Sequence, residues 1–174
     1  MYKDTKSLAL TAILLAVTIL LSWAESAMLP NLPTGVRLGL SNITIMTAVI
    51  FIGGKTGLTL TLLKSGFVLL TRGVVAGAMS LSGGVFAFVV IILLLKKTDS
   101  SYVFVSVTAA ISHIIGQLVL SSIITKSVYV FYYAPFLLVT GILSGILTGV
   151  ILGTVVRAIK TKESELKYEK SRRS

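Results

Sequence analysis

SLALTAILLAVTILLSWA, Ser7 to Ala24, carries no charged side chain across 18 consecutive positions. Wound as an α-helix it rises about 27 Å, close to the roughly 30 Å hydrocarbon layer of a bilayer. The alternative is a secretory signal peptide with Lys3 and Lys6 as its basic end. Such peptides have an apolar stretch of about 7–15 residues, and here many further apolar segments follow. Only 13% of the 174 residues are charged, against about 25% in soluble domains. The chain reads as an all-α integral membrane protein of the cell membrane.

A net charge of +10 raises a nucleic-acid partner as a possibility, so the placement of the basic residues decides. Seven of the 16 lysines and arginines lie at or after Arg157, and most others bracket apolar runs, as the positive-inside rule requires. The charge therefore reports topology and implies no nucleic acid. Residues 159–174 read as a basic, mixed-charge cytoplasmic tail. Its Glu163, Glu165 and Glu169 dilute any attraction to anionic membrane lipid. The absence of cysteine removes disulfides, thiolate metal sites and cysteine nucleophiles together.

Apolar runs between charges and turn residues predict six transmembrane helices in residues 1–158. They fall at about Ser7–Leu29, at Arg37–Ile52, and from near Thr56 through Lys64 to Arg72. A glycine-rich stretch up to Gly84, of ambiguous structure, leads into a fourth that ends at Lys96 and Lys97. The last two are about Tyr102–Ile124 and Ala134–Ala158. With the N-terminus inside, cytoplasmic segments hold twelve basic residues and outer ones only Arg37, Arg72 and Lys126, which favours N-in, C-in. A five-helix version with a re-entrant glycine-rich stretch places the tail outside, against this bias.

TGILSGILTGVILG spaces Gly141, Gly145, Gly149 and Gly153 four apart. Such a small-residue row lets two membrane helices approach closely, within this bundle or between copies. Ala12 and Ala16 form a shorter small-residue pair on the first helix.

Charge in the bilayer costs about 2.5–3.5 kcal/mol at mid-helix, so intramembrane ions face a cavity or a partner. Lys64 and Arg72 point about 80° apart on an ideal helix and can border one interior space. Lys64 either snorkels, pairs with Glu25 or meets a ligand. His113 and Gln117 share a face at i, i+4, as satisfied packing residues or as ligand contacts. PNLPTGVRLGLSN, residues 30–42, interrupts the apolar pattern with two prolines and brings Arg37 and Asn42. If Arg37, Lys64 and Arg72 converge, Glu25 neutralises only part of the set, and an anionic small-molecule substrate held by Asn42, His113 and Gln117 completes it. For Lys126 interfacial anchoring is the preferred reading.

PNLPTGVRLGLSN leading into the second helix, together with SHIIGQL in the fifth, resembles the Gx transporter family, labelled heptaprenyl diphosphate synthase component I. That family is similar to the substrate-binding S components of energy-coupling-factor (ECF) vitamin importers. The resemblance implies a six-helix bundle, substrate binding near the outer face, and partners in the form of an ECF transmembrane coupling subunit and an ATPase pair. Ala12 and Ala16 match the pattern that contacts the coupling helices. The resemblance implies no cofactor or catalysis in this chain. Gly53-Gly54-Lys55-Thr56 only echoes a phosphate loop and reads as part of a tight inner turn with Gly57. Asp4 and Asp99 are the only aspartates, too few for a magnesium diphosphate cluster. The alternative is a membrane accessory or scaffold protein of prenyl diphosphate or quinone metabolism, without transport.

Overall fold

Side chains that face lipid leave the backbone nothing to bond with except itself, and the chain answers with helices joined by short turns. The computed structural model describes residues 2–28, 41–97 and 100–173. These form α1 (Tyr2–Met28), α2 (Asn42–Phe51), α3 (Gly54–Arg72), α4 (Val74–Lys97), α5 (Tyr102–Thr125), a 3-10 segment (Val128–Tyr133) and α6 (Ala134–Arg173). No strand occurs among the described residues.

Two turns depend on glycine. At Gly53, φ is 132°, and the N–H groups of Ile52 and Gly53 both donate to the Ala48 carbonyl at 2.9 Å. At Gly73, φ is 89°, and its N–H donates to the Leu69 carbonyl at 3.0 Å. Both conformations are open to glycine at little cost, and each lets the next helix start immediately. Gly54 and Gly57, expected in the inner turn, belong instead to α3, where Ile92 and Val49 press on them. The ambiguous glycine-rich stretch is helical from Val74 onward.

Among the described residues four segments are long and apolar enough to cross a membrane: Ser7–Glu25, Val74–Lys96, Tyr102–Thr125 and Val128–Ile159. The six crossings expected from the sequence are therefore matched only in part. α2 has 10 described residues, about 15 Å of helix. α3 has 19, but Lys55, Lys64, Arg72 and its threonines keep it outside the apolar set. α6 also runs beyond the expected end at Ala158, through Arg173. No glycine or proline follows Gly153, and the Lys, Glu and Leu residues of that stretch are good helix formers.

The helices pack through close backbone approaches. α3 and α4 run antiparallel, with Gly77 against Leu69, Ser80 against Ser65 and Gly84 against Thr61. α5 and α6 do the same. A β-carbon on Gly145 would come within 2.7 Å of the Val107 Cα, and one on Gly149 within 2.5 Å of the Val103 Cα. Between these contacts Ser106 and Thr148 share a hydrogen bond of 2.6 Å. Ile45, Leu60, Ile91, Val105 and Leu152 fill an apolar core in the half of the bundle nearest the Gly53 turn.

The glycine row differs in tightness along its length. Gly145→Val should cost about 1–3 kcal/mol through overpacking against α5. Gly153→Ala, whose added carbon meets Tyr102 only at 3.8 Å, should leave stability unchanged. Thermal unfolding of the two variants in one detergent checks the contrast.

Candidate functional site

α1 turns its polar residues inward. Thr18, Ser22 and Glu25, at i, i+4 and i+7, are its buried side chains among those described, and Glu25 is 2% exposed. Leu8, Ile13, Leu20 and Trp23 face outward, where lipid rather than water is the apolar medium. The inward stripe reaches two neighbours. Thr18 shares a 2.6 Å hydrogen bond with Thr44 of α2, and the Ser22 carbonyl accepts from the Arg72 guanidinium at 3.1 Å.

The middle of the bundle is a polar layer. Val49 contacts Gly57, so Asn42, two turns before Val49, stands level with Lys64, two turns beyond Gly57. Lys64 is 3% exposed. Glu25 lies within electrostatic reach of both Lys64 and Arg72, and His113 lies within reach of Lys64. Beside Lys64, the Ser65 hydroxyl meets that of Ser80 at 3.5 Å. His113 donates to the Gly83 backbone carbonyl. That bond requires α4 and α5 to touch: a β-carbon on Gly83 would come within 2.9 Å of both the His113 and the Gln117 side chains.

Several groups in this layer are buried without a hydrogen-bond partner among the described residues. Among the described residues the Asn42 amide has no hydrogen-bond partner at either Oδ1 or Nδ2, and the same holds for His113 Nδ1 and Ser41 Oγ. An orphaned buried polar group costs about 1–3 kcal/mol. A ligand or ordered water offering both a donor and an acceptor would remove that cost.

Next to the layer lies a cavity of about 350 Å³ bordered by Met79, Gln117, Leu118, Tyr129, Tyr133 and Leu137. Gln117 is 5% exposed and belongs to both spaces. The 3-10 segment supplies the aromatic wall, and within it Tyr129 and Tyr132 stack at 5.9 Å.

The structure thus brings Glu25, Asn42, Lys64, His113 and Gln117 into one layer. Arg72 is attached at its edge by the Ser22 contact, since its own side chain is largely exposed at the end of α3. Lys126 stays apart, exposed at the C-terminus of α5 with φ of 49°. Arg37 lies outside the described residues. Ala12 and Ala16 are exposed on the outward face of α1, and Gly141, Gly145 and Gly149 lie against α5.

The sequence model for heptaprenyl diphosphate synthase component I matches residues 14–155. The chain belongs to that family. Neither a curated protein nor a solved structure matches it. The component I match contains the whole polar layer and the glycine seam, leaves Ala12 just outside, and ends before the charged part of α6.

Thr18, Ser22, Thr44, Ser65 and Ser80 were not singled out from the sequence. Hydroxyls are common in membrane helices because they return their hydrogen bond to the preceding turn, as Thr18 does to the Leu14 carbonyl at 2.6 Å. The usable signal was the Thr18-Ser22-Glu25 stripe, which follows helical spacing on an otherwise apolar segment.

In this component I member, Glu25→Gln should strand the buried Lys64 charge and cost about 3–5 kcal/mol, whereas the double change Glu25→Gln with Lys64→Met should recover most of that. Unfolding midpoints of the three proteins in one detergent check the order.

Proposed function

We propose that this chain is the substrate-binding membrane subunit, or S component, of an ECF-type importer. In this reading six helices cross the cell membrane with both termini inside. The ligand is a small metabolite, anionic or polar-aromatic, taken from the outer side. The observation that carries the reading is the buried polar layer, in which Lys64 lies within reach of Glu25, Arg72 joins at the edge, and Asn42 and His113 have hydrogen-bonding atoms with no partner among the described residues. A structural ion pair alone would not leave both atoms of an amide orphaned at its side. The adjoining aromatic-walled cavity suits the less polar part of such a ligand.

The chain's own work is then binding and release. Energy comes from an ATPase pair acting through a coupling subunit, and the exposed Ala12 and Ala16 face on α1 is the surface proposed for that subunit. Small residues there let a partner helix approach the α1 backbone. The family description favours a second reading, an accessory subunit of prenyl diphosphate metabolism without transport. Purification from native membranes separates the two: a coupling subunit with ATPases supports import, and a prenyltransferase supports the accessory role. Ala12→Leu with Ala16→Leu should abolish recovery of the coupling subunit while leaving the thermal midpoint unchanged.

Asn42→Leu should raise the stability of ligand-free protein, because it removes two orphaned groups, and should lower ligand retention about tenfold through the lost hydrogen bonds. Mass spectrometry of small molecules kept through gentle extraction measures retention, with Lys126→Gln as the unaffected control. Equal retention in Asn42→Leu and the control would remove the layer as the binding site.

A further inference from the structure

At the opposite end of the bundle from the aromatic cavity, a second cavity of about 560 Å³ opens between α2, α3, α4 and α5. Lys55 and Lys96 line it together with Tyr102, and Ile50, Ile92 and Leu95 form an apolar wall. Both lysines are exposed. The described lining contains two cations and no acidic side chain, which gives the space a positive character. The first turn of α3 opens onto the same space without a side-chain cap, adding backbone N–H groups that favour negative charge. The charge distribution along the chain assigns this end to the cytoplasmic side, where anionic lipid headgroups are concentrated.

We propose that this inner cavity binds the phosphate of an anionic phospholipid headgroup. Lys55 and Lys96 flank the phosphodiester, the Tyr102 phenol lies within the same lining, and the isoleucine and leucine wall takes the first apolar groups below it. The apolar wall selects a lipid over a free phosphate, because a soluble anion gains nothing from Ile50, Ile92 and Leu95. The proposal is independent of any ligand in the polar layer.

The test uses the full chain in a mild neutral detergent, titrated with phosphatidylglycerol or phosphatidylcholine and read by native mass spectrometry. A lysine near the membrane surface contributes about fivefold in affinity for an anionic lipid, so the pair gives about thirtyfold preference for phosphatidylglycerol. Lys55→Gln and Lys96→Gln should each remove about fivefold of it, and the double change all of it. The double change to arginine and the control Lys126→Gln should keep it, and matching circular dichroism spectra establish that each variant is folded. Equal binding of the two lipids, or a preference that survives in the double glutamine variant, overturns the proposal. Complete displacement of phosphatidylglycerol by millimolar inorganic phosphate overturns the lipid assignment in favour of a free-phosphate site.

Discussion

A lysine ammonium halfway along a helix that lies among apolar neighbours cannot be left in hydrocarbon, and the bundle is organised around Lys64. The residue is only 3% exposed. The opposite charge it needs must come from another helix, and Glu25 of α1 supplies it, while Asn42 of α2 and His113 of α5 lie at the same level. The same constraint explains why α1 is inverted relative to a soluble amphipathic helix. Its apolar side chains are stable against lipid, so the inward face is free to carry Thr18, Ser22 and Glu25.

Holding those groups together requires helices close enough for short side chains to meet. Glycine and hydroxyl residues provide the closeness. Gly83 lets His113 bond to the α4 backbone, Ser82 donates to the Gly116 carbonyl at 2.8 Å, and the Gly145 and Gly149 seam fixes α5 against α6. α1 is held differently, with hydrogen bonds between Thr18 and Thr44 and from Arg72 to the Ser22 carbonyl, and with an exterior whose Leu8, Ile13, Leu20 and Trp23 are exposed. Leu14 and Leu15 also pack on the core, and the exposed face is left for lipid or another protein.

Along the bundle axis the interior changes character in three steps. An aliphatic core fills the end near the Gly53 turn, the polar layer occupies the middle, and the aromatic cavity lies beyond Gln117. A solute entering from the aromatic side meets the charged layer and then a packed barrier. Passage through to the other side would require the helices to rearrange or a partner to intervene.

Sequence alone established the helical membrane class, because uninterrupted apolar length on the scale of a bilayer has few other uses. It also singled out Lys64, Glu25, His113 and Gln117, since charge and amide groups in apolar segments are costly enough to be conspicuous one at a time. The positions of most helices could be read from glycine and charge punctuation. The helical continuation past Ala158 could not, because a solvated charged segment and a charged helix share a composition. Tertiary structure decided which polar residues share a layer. Depth match between Asn42 and Lys64, or contact between Gly83 and His113, depends on the register in which neighbouring helices pack. That register is set by where glycines admit a neighbour's backbone, a property of pairs of helices that no single segment carries.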